Sequence, residues 1–312
     1  MPVSSTTKSP IHTPKPQERL KKSEQKRNLF QTGFFLLTNG QLSGYVTGQI
    51  YRGPAKHMCV PGLNCYSCPG ALGACPMGSL QSGLYDTRQL FPFYVLSLLC
   101  FFGLLFGRLV CGLLCPFGFL QDLLAKIPVK KYRLEVQKPQ LDRTLRYFKY
   151  AILLLLVFML PFMGRFLPSF MKPWFCKYVC PSGTILAGWP MVSLNPSLQG
   201  QIGWLFGWKS LLAIAIVVGA IFIPRFFCRY LCPLGAFYGL FNKFAFFRLS
   251  YQASSCIQCG ACKRTCPMGI DMPRQNQSAE CVRCGRCAAV CPTSCLHTGF
   301  KTPDTPGVAK CD

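Results

Sequence analysis

The sequence holds only three histidines, at His12, His57 and His297, and none of them lies in an apolar stretch. A b-type haem inside a helical bundle needs paired imidazoles from that bundle, so the composition argues against haem. Acidic residues are also scarce: 10 Asp and Glu stand against 34 Lys and Arg, for a formal charge of +24. No acid–base constellation for bond-making chemistry is present. Charged residues make up 14% of the chain and apolar residues 50%, which is unusual for a soluble domain and points to a membrane. So large a positive excess normally prompts a nucleic-acid reading. Here the basic residues fall in loops between apolar segments and in the tail, where anionic lipid and topology account for them and nucleic acid is not needed. A small-residue cleavage site is missing after Lys21, Lys22, Lys26 and Arg27, so the segment that follows is expected to stay as an uncleaved anchor.

Cysteine is what the chain has in excess: 21 residues, without the short, loop-rich character of a disulfide-stapled secreted domain. Metal or cluster ligation is the reading that fits. Cys256, Cys259, Cys262 and Cys266-Pro267 follow the C-x2-C-x2-C-x3-C-P spacing, and Cys281, Cys284, Cys287 and Cys291-Pro292 repeat it. This spacing is specific for two [4Fe–4S] clusters in a bacterial-type ferredoxin domain, in which the fourth cysteine of each run crosses to the other cluster. Cys256, Cys259, Cys262 and Cys291 are therefore assigned to one cluster, and Cys281, Cys284, Cys287 and Cys266 to the second. A zinc ribbon is the alternative.

A different pattern, Cys-x3-Cys-Pro-x-Gly, occurs at Cys111–Gly118, Cys176–Gly183 and Cys228–Gly235, with an altered copy ending in Cys75-Pro76-Met77-Gly78. Cysteines four apart lie about one helical turn from each other, and the proline stops the helix beside them. The repeat is longer than its thiols: CGLLCPFGFLQDLLAK from Cys111 and CRYLCPLGAFYGLFNK from Cys228 share Cys, Leu, Cys, Pro, Gly, Leu and Lys positions. The apolar residues after each proline predict a short helix lying in the membrane interface.

Apolar segments at about 29–50, 89–110, 147–163 and 204–223 are the candidate spans, each near the ~20 residues that cross a bilayer. The first is interrupted by Asn39, Gly40, Gln41, Ser43, Gly44 and Gly48. It reads either as a weak helix held by its neighbours or as part of a quinone site. The 121–149 loop carries Lys126, Lys130, Lys131, Arg133, Lys138, Arg143, Arg146 and Lys149. By contrast, 51–88 has only Arg52, Lys56 and Arg88, and 164–203 only Arg165, Lys172 and Lys177. Positive residues stay inside, so that loop and both termini are expected in the cytoplasm of a multi-pass inner-membrane protein.

This topology sorts the thiols into two layers. Cys111, Cys115, Cys228 and Cys232 fall at the cytoplasmic edge as a four-ligand set for a third cluster. Cys59, Cys65, Cys68, Cys75, Cys176 and Cys180 fall at the opposite edge. There Cys75, Cys176 and Cys180 match the repeat, Ala71 replaces the first cysteine, and Cys65, Cys68 or Cys59 completes the set of a fourth. Buried thiols, a disulfide, or a copper or zinc site remain alternatives for both layers. Cys100, Cys295 and Cys311 are read as passengers. Lys263, Arg264, Arg274, Arg283 and Arg286, against Asp271 and Glu280, make the tail basic. They steer an acidic redox partner such as a ferredoxin or flavodoxin, or offset cluster charge against lipid.

The expected architecture is an all-α four-helix transmembrane bundle with a C-terminal α+β two-cluster ferredoxin domain. Its parts are a disordered basic tail at 1–28, the membrane domain at 29–248, the ferredoxin domain at 249–300 and a short tail at 301–312. Cys111–Pro116, Cys176–Pro181, Cys228–Pro233 and the double run at 256–292 resemble polyferredoxin-type membrane proteins of the NapH/NosR/MauN kind. That resemblance covers about 29–292. It implies an inner-membrane electron relay between a cytoplasmic donor or the quinone pool and other oxidoreductase subunits. The chain departs from the simplest members in its Cys59–Cys75 loop and third Cys-x3-Cys-Pro pair, and no flavin domain occurs within it. Two further functions stay open: a quinol- or quinone-reactive subunit, and a maturation or thiol-reducing factor using the outer cysteines.

Overall fold

The computed structural model describes residues 16–86, 92–200, 202–272, 275 and 277–300, so His12, Arg88, Arg274 and Cys311 lie outside the described residues. The described chain is mostly helical, with one two-stranded sheet near its end.

Helix α1 (Pro16–Thr38) begins inside the stretch expected to be disordered and corrects the boundary at residue 28. A polar helix of this kind gains little from propensity alone and depends on docking. Docking is what it has: Arg27 and Gln31 are buried, and Gln31 Nε2 donates to the Gly112 carbonyl at 2.8 Å. The same helix breaks the first candidate span. It stops at Thr38, Asn39 Nδ2 donates back to the Phe35 carbonyl at 3.2 Å, and only the short helix Ser43–Thr47 follows. Residues 29–50 are therefore not one continuous helix.

After α2 (Pro76–Tyr85) comes α3 (Phe93–Phe106), a mainly apolar helix of 14 residues that covers part of the second span. At 1.5 Å per residue it is about 21 Å long, short of a ~30 Å hydrocarbon layer. The chain continues through α4 (Leu109–Leu113) and α5 (Pro116–Leu124) into α6 (Pro139–Met163), which starts well before the expected 147. A π-helical stretch at Leu153–Met159 lies within it. Then follow α7 (Trp174–Tyr178), α8 (Trp204–Phe222), α9 (Phe226–Tyr230) and α10 (Pro233–Phe241). Among the described residues, α6 and α8 are the two helices long and apolar enough to cross a membrane by length and composition.

The short helices expected after the prolines are α5 and α10. Their position differs from the expectation, because Pro233 to Gly239 of α10 are all buried and the helix packs inside the molecule instead of lying on an interface. Finally β1 (Phe247–Tyr251) pairs antiparallel with β2 (Leu296–Phe300), Phe247 opposite Phe300 and Tyr251 opposite Leu296. Between them run α11 (Ala261–Thr265) and α12 (Arg286–Val290).

One buried core extends without a break from Leu63, Met77 and Phe117 to Met268, Val282 and Leu296, so the ferredoxin-like end and the helices form one packed body. Two glycines mark how close the parts come. A Cβ on Gly112 would meet Val282 O at 2.6 Å, which presses α4 against the loop after Cys281. A Cβ on Gly62 would meet Cys115 Cα and Leu114 O, both at 2.9 Å. The second contact brings the 59–75 loop against Cys115, so the two groups of membrane-edge cysteines expected from the sequence are neighbours in the fold. Here Lys56 Nζ donates to Ala71 O at 2.7 Å and Asn64 Nδ2 to Thr38 O at 3.3 Å.

Candidate iron–sulfur centres

At the ferredoxin-like end the structure brings Cys256, Cys259, Cys262 and Cys291 around one cavity of about 400 Å³. Cys266, Cys281, Cys284 and Cys287 line a second, tighter hollow walled by Met268, Ile270 and Met272. In each C-x2-C loop the residue before the second cysteine is left-handed, Gln258 at φ 51 and Arg283 at φ 50, and the glycine after that cysteine is too, Gly260 at φ 68 and Gly285 at φ 75. Turns of this sort aim successive amides inward and form a nest for an anion, which suits a thiolate-ligated cluster.

Cys111, Cys115, Cys228 and Cys232 are all buried and near enough to repel one another as thiolates. Two of their sulfurs have hydrogen-bond donors: Cys232 accepts from Gly235 N at 3.3 Å, and Cys228 from Gln121 Nε2 at 3.0 Å. Burial pushes the Cys111, Cys115 and Cys228 thiols up to about 11. Both donors favour a thiolate, the form in which cysteine binds iron.

The other set gathers one of the three candidate thiols with the repeat cysteines. Cys65, Cys75, Cys176 and Cys180 share charge interactions and line a common cavity of about 690 Å³. Cys65 thus stands where Ala71 fails to supply a thiol. Cys68 is drawn away: its sulfur lies 2.9 Å from Tyr45 Oη and 3.5 Å from Leu186 O. Cys59 faces Ser79 Oγ at 3.5 Å. No disulfide joins any of the described cysteines. Among the described residues no group of three or more His, Cys, Asp or Glu closes on a single metal ion. A four-iron cluster asks for wider spacing, since each thiolate takes a different corner.

The Cys-Pro-x-Gly motif now has a physical account. Its cysteine is the residue before a helix and proline takes the first helical position, where no N–H is needed, at Cys75, Cys115 and Cys232 alike. At Cys232 the sulfur also accepts from the amide three residues on, Gly235 N.

Sequence reasoning missed two glutamines. Gln81 Nε2 donates to Cys176 Sγ at 3.3 Å while its Oε1 accepts Phe175 N at 3.0 Å. Gln121 repeats this with Cys228 Sγ and Phe227 N, both at 3.0 Å. The signal was present, since each glutamine falls six residues after the cysteine of Cys75-Pro76 or Cys115-Pro116. Replacing Gln121 by Leu withdraws a donor that favours the more negative, reduced state of whatever Cys228 binds. The midpoint potential of that centre is expected to fall by on the order of 60 mV, while Gln81→Leu lowers a different one. An electron paramagnetic resonance (EPR) redox titration checks this, and identical titrations for both variants would refute it.

Around these sites lies a buried charge framework. Arg225, held at φ 55, sends its guanidinium to both Asp122 oxygens at 2.9 and 2.6 Å and to Cys111 O at 3.2 Å. Arg27 approaches the same carboxylate at 3.5 Å. These cations hold Asp122 well below the usual carboxylate range, against the opposing effect of burial. Arg108 joins Cys228 O at 2.9 Å to Glu280 Oε2 at 2.9 Å. The basic tail expected to steer a partner is corrected in part. Arg283 is buried with its guanidinium on the carbonyls of Phe106, Phe247 and Asn242, Arg286 pairs with Glu24 at 2.9 Å, and Glu280 is internal. Lys263 and Arg264 remain exposed.

Buried cysteine quartets on a mostly helical scaffold define an iron–sulfur protein. The family described as 4Fe–4S binding domain matches residues 89–135, 146–190 and 204–250, and each stretch contains one Cys-x3-Cys-Pro motif. An uncharacterised protein of Methanocaldococcus jannaschii is 33% identical over 168 residues, 53% of this chain and 53% of its own. The putative electron transport protein YccM of Escherichia coli is 26% identical, over 55% of this chain and 44% of its own. The methylamine utilization ferredoxin-type protein MauN of Paracoccus denitrificans is 32% identical, over 64% and 62% respectively. The chain is similar to the ferredoxin-type protein MauN, to the protein NirI of Paracoccus denitrificans and to the regulatory protein NosR of Pseudomonas aeruginosa, and three of its stretches match the 4Fe–4S binding domain. It spans about half the length of the curated relatives it matches. No solved structure matches it.

Proposed function

We propose that the chain carries electrons along four cysteine sites in series, each holding a [4Fe–4S] cluster. The order is Cys256/Cys259/Cys262/Cys291, then Cys266/Cys281/Cys284/Cys287, then Cys111/Cys115/Cys228/Cys232, then Cys65/Cys75/Cys176/Cys180. The observation that carries this reading is contiguity: Gly112, next to Cys111, packs on Val282, next to Cys281, and Gly62 packs on Cys115. Such a cluster, when bound, takes up and gives out one electron at a time. The protein buries the Cys111/Cys115/Cys228/Cys232 set, gives its sulfurs donors from Gln121 and Gly235, and places the cations Arg108 and Arg225 beside it. Exposed Cys259, beside Ile257 and Lys263, is the end at which a soluble acidic partner exchanges electrons.

We place the protein in the bacterial cytoplasmic membrane, with α6 and α8 crossing it and both termini on the cytoplasmic side. Supporting this, the basic segment that ends in the first turns of α6 lies against the ferredoxin-like end: Arg146 donates to Met268 O at 2.9 Å and Arg133 to Arg264 O. Four apolar segments forming a bundle, as the hydropathy implies, stay part of the proposal, with α3 and the C-terminal part of α1 as its short members.

Iron and sulfide counting on the purified chain tests the relay. About sixteen irons are expected, and a Cys228→Ser/Cys232→Ser variant is expected to hold about twelve. A full count with unchanged paramagnetic spectra in that variant would sink the third site. A second reading, a quinone site, is favoured by the 690 Å³ cavity at Cys65, Cys75, Cys176 and Cys180. Lys209 lines it, and so does Ser182 Oγ, which is buried with no hydrogen-bond partner. Cluster reduction by a quinol analogue, abolished by Ser182→Val, would support it.

A further inference from the structure

Cys295 follows Cys291 by four residues and belongs to no ligand pattern. The structure places it at a site already supplied with four thiols. It is only 3% exposed, lines the same cavity as Cys256, Cys259, Cys262 and Cys291, and its Sγ lies 3.3 Å from Cys291 Sγ. Ordinary core packing is a poor account of that distance. The matching place in the first run, four residues after Cys266, is Ile270, an aliphatic side chain buried against the other hollow. An apolar filler therefore serves at one site, and a fifth thiol stands at the other.

The loop that returns Cys295 to Cys291 is held in place. Ser294 is left-handed at φ 51, a conformation that costs a non-glycine residue free energy and persists only when its surroundings enforce it. Arg19 of α1 supplies that enforcement, donating to Cys291 O at 2.7 Å and to Ser294 Oγ at 3.2 Å. Thr293 Oγ1 lies 3.6 Å from Cys291 Sγ on the inner side of the same turn.

We propose that Cys295 is a reserve ligand for the site made by Cys256, Cys259, Cys262 and Cys291, able to take the corner that Cys291 holds. This rests on the reading that those four residues bind a cluster. The exchange is redox-neutral: the Cys295 thiol gives up its proton as its sulfur bonds to iron, the Cys291 sulfur–iron bond breaks, and the released thiolate takes the proton. The site lies at the exposed Cys259 end, where the cluster is nearest solvent and most in need of a second way to stay anchored.

Iron and acid-labile sulfide, with EPR spectra, are read on the full chain purified anaerobically. Cys291→Ala is expected to keep its full iron content with shifted EPR signals, and Cys295→Ala to keep its iron as well. The double variant Cys291→Ala/Cys295→Ala is expected to lose up to four irons. Equal loss from Cys291→Ala alone and from the double variant would overturn the proposal. If Cys291→Ala does not accumulate, Cys291→Gly with and without Cys295→Ala gives the same comparison, since glycine offers no ligand. Cys262→Ala is the control: it should lose this cluster, and full iron in that variant would refute the cluster reading itself and not the reserve role of Cys295.

Discussion

Alanine at Asp122 is expected to destabilise the protein by about 3–5 kcal/mol, more than any single hydrogen-bond deletion here. Asp122 is buried and is the carboxylate between Arg225, wholly buried and bonded to both its oxygens, and Arg27, also buried. Removing it leaves two guanidinium groups out of water beside each other. None of the three polar nitrogens of Arg27 makes a hydrogen bond, so α1 is held at this point by charge alone. An asparagine side chain keeps the shape and loses the charge, so Asp122→Asn should recover little. Thermal unfolding of the detergent-solubilised protein measures the effect, and near-wild-type stability of Asp122→Ala would show that the network is slack. The pH dependence has a definite sign. The folded carboxylate titrates lower than the unfolded one, so its stabilisation is complete above the ordinary Asp value of ~3.9 and is lost as pH falls below it.

How much of this could be read from sequence depended on whether the controlling interaction was local. The two C-x2-C-x2-C-x3-C-P runs were legible because their spacing alone dictates the loop, and the structure gathers Cys291 with the first run and Cys266 with the second. Helices α5 and α10 were legible because Cys-Pro-x-Gly is a complete helix-start signal. What could not be read was set by distant partners. Helix α1 is polar, and it forms because Gln31 finds Gly112 and Arg27 finds Asp122. Cys65 was indistinguishable from Cys68 in spacing, and Tyr45, far from both in sequence, separates them by binding Cys68. The basic residues of the tail looked like one surface, yet Arg283 and Arg286 turned inward because backbone carbonyls and Glu24 awaited them.

Glu280 should be the residue on which docking of the ferredoxin-like end most depends. It precedes Cys281 and is the anionic partner of two cations with no exposed side-chain surface, Arg108 at the end of α3 and Lys149 in α6. The same Arg108 guanidinium also holds Ala279 O at 3.0 Å and Cys228 O at 2.9 Å. Glu280 and Arg108 together therefore tie the Cys281 loop, the α6 helix through Lys149 and the α9 backbone at Cys228 to a fixed arrangement. In Glu280→Gln both cations lose their counter-charge in a dry site, at a cost of about 3–5 kcal/mol, comparable to breaking a buried pair elsewhere. Because the strain is concentrated at the contact between the two parts, the expected first consequence is separation and not global unfolding. Amide exchange should rise at Ala279–Arg283 and around Gly112, and magnetic interaction between the centres on either side of the Gly112–Val282 contact should weaken. Adding Lys149→Gln removes one of the two orphaned charges, so the double variant should be more stable than Glu280→Gln alone, a positive coupling that a double-mutant cycle reads directly. Additive losses would mean that Lys149 and Glu280 act independently. In that case the packing of Gly112 on Val282 would alone have to keep the second and third cysteine sets within reach of each other.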